Sequence, residues 1–133
     1  MPSRQAFVDA FVVATQAQSG WEWDRYSALS SDVRRFVASI NEFQAAFTQA
    51  HPTAENTRNR QNNGPSVDKI LQEPSVRKVE GYIVTGRGYP RVTLYGVYLD
   101  ADACVNPSVR VAQWIRSADE DDTKGSLRRL LWD

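Results

Sequence analysis

The hydrophobic residues of the first fifty positions recur at spacings of three and four, the period of a helix that buries one face. The first group of these residues predicts a helix over residues 3–18, with Ser3 as its N-cap. Ser19 and Gly20 follow, and a glycine at this place is typical of a helix end. The chain is therefore expected to begin with an amphipathic helix that packs on a core.

A second and longer series of apolar residues runs from Tyr26 to Phe47 with the same spacing. It fits one helix over residues 27–50. It also fits two helices, near 32–38 and 40–50, because Ser39-Ile40-Asn41-Glu42 matches the capping-box pattern of a helix start. Both alternatives place helical structure on either side of Ser39.

The pattern changes after this helical region. Residues 51–65 are polar, include two prolines and a glycine, and hold no apolar residue larger than alanine, so they predict a loop. Residues 66–72 predict a short helix that Ser66 caps and that Pro74 limits. A loop and a short helix thus separate the N-terminal helices from the strands that follow.

Two runs rich in β-branched and aromatic residues, 79–85 and 91–99, predict a β-hairpin. Gly86-Arg87-Gly88-Tyr89-Pro90 lies between them and forms a basic, glycine-rich tip. If the side chains of 91–99 alternate regularly, neither side of that strand is plainly polar. The strand is then covered on both faces, or one face is a binding surface.

The last third of the chain predicts a smaller closing unit. Apolar residues alternate with Arg110 and Ala112 over residues 108–116, which predicts a third strand, with a helix as the alternative at this length. An acidic loop follows, and Thr123 can cap a short C-terminal helix that runs through Leu131. The predicted fold class is α+β, in a single globular domain over residues 1–133.

Composition narrows the classes of function. Sixteen basic and sixteen acidic residues give zero net charge, so no global field indicates a polyanionic partner. One cysteine excludes an intramolecular disulfide framework and favours a reducing compartment. No apolar run is long enough for a membrane span, and the first residues lack a signal-peptide pattern. We therefore expect a cytoplasmic protein that does not contact a membrane.

Few residues offer chemistry. A single histidine and a single cysteine cannot build a structural zinc site, and no glycine-rich phosphate loop precedes a helix. Asp100 and Asp102 are weak candidates for a magnesium site, which would imply a metal-dependent nuclease. An Asp-x-Asp pair is more typical of a turn, in which the carboxylates bind local backbone. We therefore predict no catalytic residues, no enzymatic activity and no cofactor.

The order of helix, loop, short helix and hairpin resembles a winged-helix domain. The residues that carry the resemblance are Gly86 to Val97, a Gly-Arg-Gly-x-Pro-Arg-Val sequence that leads into an aromatic strand. Residues 41–99 also resemble the C-terminal winged-helix segment of phage and poxvirus-type primase–helicases, whose hairpin ends in a pattern like that of residues 95–99. No ATPase motif is present, so helicase activity is not implied.

The resemblance implies a DNA-binding surface. The short helix would offer Ser66 and Lys69 to bases and phosphates, and the wing would offer Arg87 and Arg91 to the backbone or the minor groove. The remaining implied contacts come from the loop and from the base of the wing, and they are Arg58, Arg60, Arg77 and Lys78. The alternative is that these cations only solubilise an exposed edge hairpin.

Three functions follow from these observations. The first is a small nucleic-acid-binding protein of a phage or other mobile element, with DNA as the favoured partner. The second is a protein–protein interaction module, such as an inhibitor, adaptor or assembly subunit, that uses its apolar hairpin and aromatic residues and forms a homo-oligomer or a stable complex with a protein partner. The third is the metal-dependent nuclease at Asp100 and Asp102.

Overall fold

The computed structural model describes residues 3–24, 33–85 and 89–133. The described residues form helices and an antiparallel sheet, which confirms the α+β class. The helices are α1 (Arg4–Thr15), α2 (Ile40–Gln49), α3 (Ala54–Arg58), α4 (Val67–Gln72) and α5 (Val109–Ser117). The strands are β1 (Trp21–Trp23), β2 (Val33–Ser39), β3 (Val76–Val84), β4 (Arg91–Asp100), β5 (Glu120–Lys124) and β6 (Leu127–Leu131).

The predicted hairpin is confirmed as β3 and β4, and it lies at the centre of the sheet. The strand order is β1-β2-β3-β4-β6-β5, and every neighbouring pair is antiparallel. Because β2 pairs with β3 and β6 pairs with β4, neither hairpin strand is an edge. The interpretation of the hairpin as a charged edge is therefore wrong. Its tip, residues 86–88, lies outside the described residues.

The core lies between one face of the sheet and the helices. Helices α1, α2, α4 and α5 and the central strands contribute to a single buried cluster. Its larger members include Phe11, Phe36, Phe43, Ile70, Ile83, Leu94, Leu130 and Trp132. Aromatic rings join α1 and α2 to the sheet, with Phe11 at 5.7 Å from Phe43 and at 6.2 Å from Phe36. Burial of this apolar surface is the main stabilising contribution.

The helix predicted near residues 32–38 is instead strand β2. Phe36 and Ala38 are buried, whereas Arg35 before them is exposed and Val37 between them is only partly buried, so the burial period is two and not three or four. The predicted break at Ser39 and the helix after it are confirmed. The Ser39 hydroxyl accepts a hydrogen bond from the amide of Glu42 at 3.2 Å and caps α2.

The polar loop predicted over residues 51–65 contains one short helix. Helix α3 begins after Thr53, whose amide donates to the Asn56 side chain at 2.8 Å. Asn56 therefore supplies the reciprocal capping bond that glutamate or glutamine usually gives, and it is buried in this position. The short helix predicted over residues 66–72 is confirmed as α4, but the Ser66 hydroxyl makes no capping hydrogen bond to it and donates to the Asp68 carboxylate instead.

Two predictions for the C-terminal third are wrong. Residues 109–117 form helix α5, because Val111 and Trp114 are buried at helical spacing and the Ser108 hydroxyl caps the helix at the amide of Val111. The predicted C-terminal helix is the hairpin of β5 and β6. Gly125, at φ +64°, supplies its turn, and Asp121 pairs across the hairpin with Arg128.

Candidate functional site

The structure separates the basic residues predicted to bind nucleic acid. Arg60 and Lys69 line one cleft, whereas Arg58 is exposed at the end of α3. Lys78 and Arg91 lie on the sheet, and Arg87 lies outside the described residues.

Two other predicted contacts are engaged within the protein. The Ser66 hydroxyl binds the Asp68 carboxylate. Arg77 forms an ion pair with Asp100 at 2.5 Å, and its guanidinium also donates to the carbonyl of Pro74. Neither side chain is therefore as available to a ligand as the sequence implied.

Arg60 and Lys69 share their cleft with Arg110, which sequence reasoning did not select. We call this the basic cleft. It has a volume of about 380 Å³, which is within the range of small-ligand sites. The residues that complete its wall are Asn63, Gly64, Pro65, Gln113, Trp114 and Ser117.

Tertiary contacts hold the walls of the basic cleft together. The Arg110 guanidinium crosses from α5 to α4, where it donates to the Lys69 carbonyl at 3.4 Å and to the Gln72 side chain at 3.5 Å. Helices α4 and α5 form two walls of the cleft, and the loop before α4 forms the third. Gly64 packs so closely on Trp132 that a Cβ there would lie 3.2 Å from the Trp132 Cβ. The cations are thus presented from two helices and an anchored loop.

The basic cleft is electropositive because its cations are not neutralised. Within the described ranges, Arg60, Lys69 and Arg110 form no ion pair with a carboxylate, and no acid lines the cleft. By contrast, Arg4, Arg77, Arg128 and Arg129 each contact a carboxylate within 3 Å. Amide groups of Asn63 and Gln113 add hydrogen-bond donors. This set of groups is suited to hold an oxyanion such as a phosphate.

A second group of polar and aromatic residues lies on the sheet face opposite the core. We call it the second face, and it consists of Arg35, Glu80, Tyr82, Tyr95, Tyr98 and Arg129. Tyr95 lies on this face because it follows Leu94, which points into the core. A β-bulge at β3–β4 then brings Tyr98 to the same face, because the register steps from Gly81–Leu94 to Glu80–Gly96 and leaves Tyr95 without an opposite residue. The regular alternation assumed for residues 91–99 is therefore wrong beyond Tyr95.

Glu80 is the centre of the second face. Its side chain is 6% exposed, and Arg129 donates to its two oxygens at 2.5 and 3.1 Å. The Tyr98 hydroxyl donates to it at 2.6 Å. Burial raises the pKa of Glu80, but the hydrogen bonds from Arg129 and Tyr98 outweigh burial, so the net pKa lies below the ordinary value. Glu80 is therefore a paired carboxylate and not a general acid.

The Glu80 charge also affects the pKa values of the neighbouring tyrosine hydroxyls, Tyr95 and Tyr98. Burial, followed by the nearby Glu80 charge, raises the pKa of Tyr95 to about 12. Burial and the hydrogen bond to Glu80 raise the pKa of Tyr98 to about 12. Both phenols are protonated at neutral pH, so they present neutral rings and hydrogen-bond donors.

Two clefts flank Tyr95 and Arg35 on the second face. One, of about 200 Å³, also contacts Glu22, Trp23 and Glu80. The other, of about 230 Å³, also contacts Gln61 and Tyr82. Tyr82 and Tyr95 stack with ring centroids 6.1 Å apart and an interplanar angle of 28°. Stacked aromatic rings at a cleft are suited to bind another planar group.

The weak metal candidates do not lie in a ligand cluster. Asp100 pairs with Arg77, and Asp102 is exposed in the short 3₁₀ helix after β4. In the described part of the chain, no group of three or more His, Cys, Asp or Glu side chains could hold a metal ion. Among the same residues, no helix has the length and apolarity that crossing a lipid bilayer requires.

The basic cleft and the second face carry the groups best suited to bind a ligand. Of the basic cleft, sequence reasoning selected Arg60 and Lys69 but assigned Arg110 to a strand. Of the second face, it selected only the possibility that one side of β4 is a binding surface. Comparisons of the chain with protein-family models, curated proteins and solved structures found no match.

Proposed function

We propose that this protein binds nucleic acid, and that the basic cleft holds its phosphates. The observation that carries the proposal is the convergence of Arg60, Lys69 and Arg110 on one cleft that no described carboxylate neutralises. The partner agrees with the one implied by the winged-helix resemblance. The contact surface differs, because it lies between α4, α5 and the loop before α4, and not at the hairpin.

The charge of the cleft sets the expected strength and salt dependence. Each cation that contacts a phosphate displaces counterions, so log K falls with log salt at about 0.7 per contact for a single strand and 0.9 for a duplex. Three contacts therefore predict a slope of about −2 to −3. Between 50 and 200 mM salt the affinity should fall roughly 20- to 40-fold.

The test is fluorescence anisotropy with a labelled 12-nucleotide strand, free and as a duplex, titrated over this range of salt. Arg60→Gln and Lys69→Gln remove exposed cations from the cleft, so folding should be preserved. Each is expected to weaken binding and to reduce the salt slope by about 0.7 to 0.9. Arg116→Gln is the matched control, because Arg116 is exposed on the same helix as Arg110 but does not line the cleft.

Two results would contradict the proposal. One is the absence of binding to any strand at 50 mM salt. The other is an equal loss of affinity in Arg116→Gln and in the cleft variants, which would indicate a diffuse attraction and not a site.

A further inference from the structure

We infer that the nucleic acid is single-stranded, and that its bases stack on Tyr82 and Tyr95. We call this ring pair the tyrosine platform. The inference rests on the proposed function and adds the class of nucleic acid to it. It depends on residues of the second face, and none of these residues lines the basic cleft.

The geometry of the two rings supports stacking of bases. Tyr82 lies on β3 and Tyr95 on β4, and both side chains are half-buried at the wall of the 230 Å³ cleft. Each base has a π-face, so stacking on such rings is tolerant of sequence and contributes to affinity per base. In a duplex the bases are stacked on each other, and the rings could not reach them without unpairing.

Cations stand beside both rings. The Arg35 guanidinium lies 5.7 Å from the centroid of Tyr95, and the Arg91 guanidinium lies 5.5 Å from that of Tyr82. Neither arginine forms an ion pair with a carboxylate of the described residues. Arg91 donates to the Tyr89 carbonyl and the Tyr82 hydroxyl, which hold its guanidinium beside the platform. The positive charges of both arginines are thus placed to attract the phosphates of a strand whose bases stack on the rings.

Carboxylates lie beside the platform as well as arginines, among them Glu80, Glu120 and Asp133. Glu80 is already neutralised by Arg129. Glu120 and Asp133 line the same cleft as the platform, where their carboxylates can accept hydrogen bonds from the amino groups of bases. The arrangement of rings, arginines and carboxylates therefore matches a strand whose bases face the protein.

The platform and the basic cleft lie on two sides of one loop. Gln61 reaches the platform, where it accepts a hydrogen bond from the Tyr82 hydroxyl at 3.1 Å. Arg60 and Asn63 of the same loop line the basic cleft. A single strand that follows this loop can place bases on the rings and phosphates in the cleft.

The test compares strands that differ only in their bases. Anisotropy titrations at 50 mM salt use a 12-nucleotide DNA strand, the RNA strand of the same sequence, an abasic strand of equal length and a duplex. The normal strand is expected to bind more tightly than the abasic one by about 5- to 150-fold per stacked base. The DNA and RNA arms distinguish the two sources of a single strand.

Tyr82→Leu and Tyr95→Leu remove the rings and should abolish this difference while affinity for the abasic strand stays unchanged. Tyr82→Phe and Tyr95→Phe keep the rings and should bind as the wild type does. Tyr89→Leu is the matched control for the loss of a ring beside Arg91, because the Arg91 guanidinium lies 5.9 Å from the Tyr89 centroid, but Tyr89 is exposed and does not line the platform cleft. Thermal unfolding of each variant verifies that the fold is intact.

The outcomes separate the two proposals. Equal binding of normal and abasic strands, with Arg60→Gln still weakening both, would overturn the platform and leave the basic cleft standing. Absence of binding to every strand would overturn both. A self-association that light scattering detects in the wild type and not in Tyr95→Leu, together with unchanged strand binding, would assign the second face to a protein interface and overturn the platform.

Discussion

Replacement of Glu80 by glutamine tests whether the charge network of the second face stabilises the sheet. Glu80 on β3 binds Arg129 on β6 and Tyr98 on β4, so one carboxylate links three strands. Its side chain is 6% exposed and that of Arg129 is 20% exposed, so solvent screens the pair only weakly. The variant keeps the shape of the side chain and removes its charge.

The magnitude follows from burial and from the remaining partners. Removal of one partner from a buried ion pair costs about 3–5 kcal/mol, because the other charge is left uncompensated. Here the loss is smaller, since Asp122 lies 3.7 Å from Arg129 and the glutamine oxygen can still accept a bond from Tyr98. We therefore expect Glu80→Gln to lower the free energy of unfolding by about 2–3 kcal/mol.

The assay is equilibrium unfolding in urea, which does not screen charges as guanidinium chloride does. For a slope of about 2 kcal/mol/M, the midpoint should fall by about 1 to 1.5 M. Asp121→Asn is the matched control, because Asp121 also binds an arginine of β6 in a bidentate pair. Both members of that pair are about one-third exposed, so its loss should cost about 1 kcal/mol or less.

The double variant Glu80→Gln with Arg129→Met completes the test. If the two side chains act as a pair, the double variant should lose less stability than the sum of the single losses, by about 1–3 kcal/mol. Strict additivity, or a loss in Glu80→Gln no larger than that in Asp121→Asn, would refute the reasoning. In that case the sheet packing alone, and not the buried charge, would hold β3, β4 and β6 in register.

The structure makes two further predictions. The folded pKa of Glu80 lies below its ordinary value of 4.5, so the stabilisation that its charge provides is present above about pH 4.5 and is lost as pH falls through the folded pKa. The urea midpoint should therefore decrease in acid, and it should decrease less in Glu80→Gln. An equal decrease in both proteins would assign the acid effect to other groups. Gly81→Ala should destabilise the protein by about 1–3 kcal/mol, since a Cβ at this position would lie 2.5 Å from the Thr93 carbonyl oxygen and 2.8 Å from the Phe36 ring. The measurement is the thermal midpoint, and an unchanged midpoint would show that the bulge beside Gly81 relaxes freely.

The elements that the sequence predicted correctly are those with a local signal at their start. Ser3 caps α1 and Ser39 caps α2, and in both the hydroxyl accepts a hydrogen bond from the amide three residues on. The central hairpin was predicted because its two strands are long and rich in β-branched and aromatic residues. Such signals depend on neighbours in sequence, so they do not need the rest of the fold.

The errors fall on short segments whose state depends on what covers them. Residues 33–38 and 109–117 each contain apolar residues that fit a helix or a strand over such a length. Trp21 stacks on Phe36 at 4.6 Å and β3 pairs along the other side, which makes the first segment a strand. Trp114 packs against Trp132, which makes the second a helix.

Both candidate sites depend on contacts between distant parts of the chain. The sequence by itself determined the α+β class, the capped helices, the central hairpin and the basic character of Arg60 and Lys69. Only the tertiary structure brought Arg110 to Lys69, 41 positions away, and only the pairing of β3 with β4 placed Tyr95 beside Tyr82. Charge and ring type are local properties, whereas a cleft or a platform requires several elements to converge, and burial of the common core decides how they do so.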